Sequence, residues 1–305
     1  MSTASNVVSP TSRSRRFTKA MGNATRYGCS AVGIVLALIG SAAHSDERAS
    51  PLDPERVTFV MGNFQFALLH ELAHVAIGDL EPPIIGPEEY AADYLATVFL
   101  LRPLQTPSIG AEKWRKFAMT AADAFATLWQ ISEDSGARSP YWDTHALSIQ
   151  RFYSIACLIY GSNPQRFAKI PDLIQMPVQR ASSCEVEYAR ALKSTDWLLS
   201  FAASHRNPAA NVGMSVRYER PRTRTDEYLL AEIKSSGLVE WTLERFGQLI
   251  PLDKEATLVL RSCSIPEAAW VADQRELVVC YELLNLYYLL SADRDPEAIG
   301  SLLEQ

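Results

Sequence analysis

Histidine and cysteine are scarce in this chain, with five of each among 305 residues. None of the cysteines has the C-x-x-C or C-x-x-H spacing of a structural zinc site. The sequence also has no internal repeat, no low-complexity tract and no Gly-rich phosphate loop, so nothing in it points to a nucleotide. Because 48% of the residues are apolar, the chain can still bury one good core, or a larger domain with a smaller partner.

Acidic residues are absent from the start of the chain, which carries basic residues instead. Residues 1–27 carry five basic and no acidic groups, and residues 29–43 form an apolar run that ends in small residues. This pattern predicts an export signal over residues 1–43, cleaved after Ala43, with the general and the twin-arginine export routes both open. The apolar run is too short to predict a permanent membrane anchor. Without this segment, 24 Lys and Arg stand against 35 Asp and Glu, and a net charge of −11 argues against a nucleic-acid partner.

The motif His70-Glu71-Leu72-Ala73-His74 lies in an apolar segment. Between residues 57 and 78, Glu71 is the only formal charge. Desolvating a carboxylate and two imidazoles there is costly unless a partner such as a metal ion is present. Residues four apart lie on one face of a helix, so His70 and His74 can bind one ion while Glu71 lies beside it as a general base. The alternative is a pair of satisfied core histidines, which leaves Glu71 unexplained.

A third protein ligand is expected downstream, because catalytic zinc usually has three and keeps a further position for water. A second helix is predicted from Pro87 to about residue 102, and on it Glu89 and Asp93 are four apart and share a face. We therefore expect Glu89 to bind the metal and Asp93 to accept the other ring N–H of a ligand histidine. Glu88 points elsewhere.

At these residues the sequence resembles the gluzincins, thermolysin-like zinc peptidases in which the Glu of E-x-x-x-D is the third ligand and the Asp orients the first histidine. More closely, it is similar to a bacterial family of metallopeptidases catalogued as a domain of unknown function, over most of residues 60 to 190. The motifs that carry this similarity are Asn63-Phe64-x-Phe66, His70-Glu71-Leu72-x-His74, Pro83-x-x-Gly86-x-Glu88-Glu89-x-Ala91-Ala92-Asp93, Tyr141-Trp142-Asp143-x-His145, Gln150-Arg151-Phe152-Tyr153, Cys157-x-x-Tyr160-Gly161-Ser162-x-Pro164 and Cys184-x-x-Glu187-Tyr188. The resemblance implies a zincin-like helical fold and zinc-dependent hydrolysis, and it names no substrate.

The predicted fold class is mainly α with a small α+β part. Helices are expected near residues 57–78, 87–103, 111–133, 145–161 and 182–202. The expected domains are a helical zincin-like domain at 44–205 and a smaller α+β region at 206–305 that packs on the same core or apart from it. In that region the β-rich runs 256–263 and 276–281 are predicted to form a hairpin with its turn at 272–275, before a final helix. Four cysteines remain after the predicted export signal, and this even count together with their proximity in sequence favours disulfides Cys157–Cys184 and Cys263–Cys280, with four buried thiols as the alternative.

His145 is the leading candidate for a further catalytic residue. Peptide hydrolysis passes through a tetrahedral oxyanion that needs a hydrogen-bond donor, and Tyr141 and Tyr153 are the other candidates. An equally open interpretation makes His145 an ordinary residue at a helix N-terminus. Asp143 and Arg151 are expected to form a structural ion pair, and His205 to lie on the surface.

Together these patterns predict an exported bacterial protein, periplasmic or secreted, that uses one catalytic Zn²⁺ to hydrolyse peptide or protein substrates. Two alternatives remain open: a non-catalytic binding or scaffold protein that keeps the zincin helices, and a zinc amide hydrolase that is not a protease. Glu71 argues against the scaffold, because a purely structural metal site has no need of a general base.

Overall fold

The computed structural model describes residues 52–102, 110–135, 142–204 and 212–293. This part of the chain is mostly helical with a small four-stranded sheet, which confirms the predicted fold class. The predicted export signal, Tyr141 and His205 lie outside the described residues. No helix in the four described ranges combines the length and the apolar composition that crossing a membrane would require.

The helices and strands follow one another in an order that is helical first and mixed later. They are α1 (Pro54–Leu80), α2 (Glu88–Leu101), α3 (Ala111–Thr120), α4 (Asp123–Ser135), α5 (Ser148–Ser162), α6 (Ile170–Leu173), α7 (Val178–Ala181), α8 (Cys184–Ser204), β1 (Met214–Tyr218), α9 (Arg224–Ser236), α10 (Leu238–Leu249), β2 (Ala256–Arg261), β3 (Ala268–Val271), β4 (Glu276–Cys280) and α11 (Tyr281–Leu290).

Helix α1 is the central helix of the fold. It begins where the Asp53 side chain accepts hydrogen bonds from the backbone N–H groups of Glu55 and Arg56, and it ends at Glu81, which has a left-handed φ of 45°. Two prolines follow Glu81 and prevent the helix from continuing. Buried residues lie on all its faces, since α2, α3, α11 and β3 all pack against it. A helix enclosed in this way places any polar side chain of its middle turns in the interior.

The predicted helix at 111–133 is two helices, α3 and α4, because a side chain of α1 enters the break. The amide oxygen of Asn63 accepts the backbone N–H of Ala124 at 3.2 Å, and Asn63 is buried. That contact satisfies an N–H group at the start of α4 that has no partner within the helix. The kink therefore has a tertiary cause that helical periodicity does not reveal.

The sheet has the strand order β1-β2-β4-β3. Strand β2 pairs in parallel with both β1 and β4, whereas β3 pairs antiparallel with β4. The predicted hairpin between the runs 256–263 and 276–281 is therefore wrong. Its turn at 272–275 is present, but it joins β4 to the short strand β3, which lies between the two runs in sequence. A parallel pair needs a connection that returns to the same end of the sheet, and β3 with its flanking loops provides it.

The C-terminal sheet shares the hydrophobic core of the helices. Phe59 and Phe64 of α1 belong to the same buried cluster as Leu258 of β2 and Leu277 of β4. At the end of α1, Asp79 forms an ion pair with both terminal nitrogens of Arg275, which lies in the turn between β3 and β4. Residues 212–293 therefore include segments that pack directly against the helix that carries the H-E-x-x-H motif.

Both predicted cysteine pairs lie at disulfide distance. Cys157 of α5 is joined to Cys184 at the start of α8, and Cys263 is joined to Cys280 at the end of β4. Glu282 accepts hydrogen bonds from the backbone N–H groups of Cys263 and Ser264, each at 2.9 Å. The side chains of Cys263, Cys280 and Glu282 lie close together, but the two cysteines are joined to each other and Glu282 binds backbone N–H groups. We therefore do not interpret this cluster as a metal site.

Candidate metal centre

Three side chains from the first two helices converge at one buried point. His70 and His74 lie one turn apart on α1, and Glu89 lies in the first turn of α2. The Nε2 atoms of the two histidines are 3.2 Å apart, and the Oε2 atom of Glu89 lies 3.1 Å from that of His70 and 3.5 Å from that of His74. The His70 and Glu89 residues are 4% and 6% exposed, so water screens this cluster little.

The outer ring nitrogens of both histidines face carboxylates. Nδ1 of His70 lies 2.9 Å from Oδ1 of Asp93, and Nδ1 of His74 lies 2.6 Å from Oε1 of Glu88. A neutral imidazole whose Nδ1 donates its hydrogen has a bare lone pair on Nε2. The two Nε2 lone pairs then face each other and the Glu89 carboxylate, which is unfavourable without a cation between them.

The donor set fits a divalent metal ion. Around an ion with bond lengths of 2.0–2.1 Å, tetrahedral ligand atoms lie about 3.3 Å from one another. The three separations among His70, His74 and Glu89 lie close to this value. Imidazole nitrogen with one carboxylate is a set typical of catalytic zinc, and a carboxylate behind a ligand histidine fixes its tautomer.

Without a cation, the cluster holds protons strongly. Burial alone would lower the pKa of His70, but the Asp93 and Glu89 carboxylates outweigh it and raise the pKa. Burial opposes the protonated form of His74 too, yet Glu89, Glu71 and Glu88 raise its pKa to about 9. Burial would raise the pKa of Glu89, but hydrogen bonds from the histidines, that from His145 being the strongest, hold it far below its usual range. A metal ion must therefore displace protons as it binds.

Glu71 lies beside the centre and is held by a strand of the C-terminal sheet. Its Oε2 atom accepts the backbone N–H of Trp270 in β3 at 3.0 Å, and the residue is 7% exposed. The N–H of Cys280 donates to the carbonyl of Glu267, and in an antiparallel pair every second residue forms such hydrogen bonds. Ala268 and Trp270 are the residues in between, so their backbone N–H groups point away from β4. Trp270 therefore has an N–H available for Glu71 without loss of a sheet hydrogen bond.

Asp93 connects His70 to a buried arginine. The Nε and Nη2 atoms of Arg151 in α5 donate to the two Asp93 oxygens at 2.8 and 2.6 Å. Burial would raise the pKa of Asp93, but the charges of Arg151 and His70 keep it well below its usual range. The Arg151 guanidinium also lies 4.2 Å from the centre of the Phe125 ring. Asp93 therefore stays ionised and is fixed from two sides.

His145 lies in the segment just before α5 and also faces Glu89. Its Nε2 atom is 2.8 Å from Oε2 of Glu89, and its Nδ1 atom is 3.0 Å from Oδ1 of Asp143. The same Asp143 oxygen accepts the backbone N–H of His145 at 2.9 Å. Tyr153, the other candidate donor, instead donates its hydroxyl to the carbonyl of Ile174 at 3.0 Å.

The prediction that Glu88 points elsewhere is wrong, because its Oε1 atom lies 2.6 Å from Nδ1 of His74. Besides this contact and that of His145 with Glu89, three further contacts of this site were not predicted from the sequence. Arg151 binds Asp93, Asp143 binds His145, and the backbone of Trp270 binds Glu71. The first two residues belong to motifs that carry the family resemblance, so their place near the site had a sequence signal. The third had none, because a backbone N–H leaves no mark in the residue type.

Comparison with known proteins finds one family. The model of the family DUF4344, described as "Putative metallopeptidase", matches residues 31–199. This stretch is more than half of the chain and contains α1, α2 and the segment with His145. No curated protein and no solved structure matches the chain.

Proposed function

The chain belongs to the DUF4344 family, and from this premise we propose that it is an exported zinc-dependent metallopeptidase. His70, His74 and Glu89 would hold one catalytic zinc ion, and Glu71 would act as the general base. The observation that supports this most is the convergence of two Nε2 atoms and one carboxylate oxygen within 3.5 Å of one another, with a second carboxylate beside them. Two predicted disulfides support an oxidising compartment outside the cytosol.

When bound, the zinc ion would polarise the scissile carbonyl and lower the pKa of the attacking water towards about 7. Glu71 would accept a proton from that water and deliver it to the leaving amine nitrogen. The Trp270 N–H holds one oxygen of Glu71 and thereby orients the carboxylate. Asp93 would fix the ring of His70 through Nδ1, so that its Nε2 lone pair stays directed at the ion.

The substrate class follows from the same chemistry. A buried base beside a Lewis acid suits hydrolysis of an amide, whose poor leaving group needs protonation at nitrogen. We therefore propose peptides or proteins as substrates. Hydrolysis of non-peptide amides and a scaffold without turnover are the alternatives that the experiment separates.

The test combines metal content with turnover. The purified full-length protein and the Glu71→Gln variant are analysed for bound zinc and incubated with an unbiased peptide library whose cleavage is read by mass spectrometry. We expect one zinc ion in both and cleavage by the native protein alone, since removal of a general base slows such reactions by about 10²–10⁴-fold. Glu185→Gln, on an exposed part of α8, is the matched control.

Two results would contradict the proposal. Equal cleavage by the native protein and Glu71→Gln would exclude Glu71 as the base. Stoichiometric zinc without cleavage of peptides would favour the scaffold, or an amide hydrolase if small acylated amines were cleaved. Glu89→Ala should lose zinc on dialysis, whereas Glu88→Ala should keep it with weakened affinity, because Glu88 only faces the outer nitrogen of His74 and its side chain is 44% exposed.

A further inference from the structure

A single oxygen atom of Glu89 is surrounded by three imidazole rings. Its Oε2 lies 2.8 Å from Nε2 of His145, 3.1 Å from that of His70 and 3.5 Å from that of His74. One carboxylate oxygen has two lone pairs and can accept two N–H groups. Without a cation, at least one of the three nitrogens must therefore bond elsewhere, as Nε2 of His74 can with Nε2 of His70 at 3.2 Å. A cation would give the three nitrogens and the oxygen one common partner to which each can present a lone pair.

His145 has the same environment as the two histidines of the motif. In each of the three, Nε2 faces Glu89 and Nδ1 lies within 3.0 Å of a carboxylate: Asp93 for His70, Glu88 for His74 and Asp143 for His145. A ligand histidine almost always donates its second ring N–H to such a partner. The pairing with Asp143 is well defined, because the same oxygen also accepts the backbone N–H of His145.

The position of His145 also fits a ligand better than an oxyanion donor. An oxyanion donor forms a hydrogen bond to the substrate oxygen, and that oxygen is the atom that contacts the ion. The donor itself therefore lies outside the shell of metal ligands. The Nε2 atom of His145 instead lies 2.8 Å from Oε2 of Glu89, and the ligand atoms of His70, Glu89 and His145 all lie within 4.8 Å of one another, so these three residues could hold one ion. The side chain is 9% exposed, like the other members of the cluster.

We propose that His145 is a fourth protein ligand of the metal, so that the resting centre has three imidazoles and one carboxylate. This inference rests on the proposed function, since it assumes that His70, His74 and Glu89 hold an ion. It replaces the oxyanion role that the sequence suggested for His145.

A fourth protein ligand would change how the site is regulated. Catalytic zinc sites usually keep one position open, whereas sites closed by four protein ligands are structural. Turnover would then require a fifth ligand position or the departure of His145 from the ion. Of the four donors, His145 is the one outside a helix, so its displacement would disturb the least regular structure. The resting protein would be a hydrolase with low basal activity.

The experiment counts imidazole ligands directly. The full-length protein is loaded with one equivalent of Zn²⁺ for X-ray absorption spectroscopy, and zinc affinity is measured by competition with a chromophoric chelator. His145→Ala is compared with Trp142→Ala, a neighbouring residue that is 87% exposed. We expect three imidazoles in the native protein and two in His145→Ala, with an affinity at least about tenfold weaker, because even loss of an outer partner costs that much. Trp142→Ala should match the native protein.

Each outcome decides the proposal. Two imidazoles in the native protein, or unchanged affinity and imidazole number in His145→Ala, would overturn it, leave the proposed function intact and return His145 to the oxyanion role. If His145→Ala fails to fold, the imidazole number of the native protein decides by itself. If the native protein binds no zinc, the proposed function fails and the fourth ligand with it. Co²⁺ loading gives an independent reading, since its visible bands should change in His145→Ala alone.

Discussion

Replacing Asp93 by asparagine tests whether the second carboxylate behind the centre controls metal binding. Asparagine keeps the size of the side chain but has one acceptor oxygen and an NH₂ group. In the native structure both oxygens are used, one facing His70 Nδ1 at 2.9 Å and both accepting from Arg151. The NH₂ group must then face a nitrogen of His70 or of Arg151. In either arrangement two N–H donors face each other and no hydrogen bond forms between them.

The size of the effect follows from these contacts. Loss of a carboxylate behind a ligand histidine typically weakens metal affinity by about 10–100-fold, or about 1.4–2.8 kcal/mol. The same substitution breaks a buried charge pair with Arg151, for which removal of one partner costs about 3–5 kcal/mol. Because asparagine keeps one acceptor, the expected loss of unfolding free energy lies at or below the lower end of that range. Both effects are large enough to measure separately.

Zinc affinity is measured by chelator competition, and stability by denaturant unfolding of the metal-free protein. Asp253→Asn, at an exposed position before β2, is the control that should change neither quantity. An Asp93→Asn protein that is less stable but binds zinc as tightly as the native one would show that Asp93 supports only the fold. Unchanged stability would refute the reasoning about Arg151.

Three further predictions concern protons and packing. Because the pKa of His74 is raised to about 9 in the metal-free protein, zinc affinity should rise by at least about tenfold per pH unit between pH 6.5 and 8.5, measured by chelator competition; a flat profile would contradict the proton release. The metal-free protein should correspondingly lose the stability due to this proton as the pH rises from 6.5 through about 9. Gly161→Ala should cost about 1–3 kcal/mol of unfolding free energy or more, since its Cβ would lie 2.1 Å from the Cys184 carbonyl oxygen. Gly247→Ala, with open space around the new Cβ, should be neutral or stabilising. Equal effects of the two substitutions would contradict the close contact between α5 and α8.

The sequence predicted those parts of the site that depend on helix geometry alone. The spacing of His70 and His74, and that of Glu89 and Asp93, fixes which side chains share a face, and the structure brings these faces together. The end of α1 was less predictable. The helix predicted near residues 57–78 continues to Leu80, and Glu81 then adopts the left-handed conformation before Pro82.

Contacts between distant segments could not be predicted. Strand β3 is only four residues long and has no alternation of polar and apolar side chains, and the parallel pairing of β2 with β4 depends on packing over the whole sheet. Likewise, the break between α3 and α4 depends on Asn63, some 60 residues earlier in the chain. His145 reaches Glu89 through a loop, whose course does not follow from periodicity.

The hydrogen bond between Glu71 and Trp270 has a consequence for dissecting the molecule. The family match ends at residue 199, and every donor side chain of the centre lies before that point. Strand β3, which binds Glu71, comes some 70 residues later, and Arg275 forms an ion pair with Asp79 near the end of the same helix. A recombinant fragment limited to the matched segment would keep the side chains proposed to bind the metal. It would lack the hydrogen bond to Glu71 and would expose the surface of α1 that β3 covers. A fragment that keeps the contact between Glu71 and Trp270 must thus extend well beyond the matched segment.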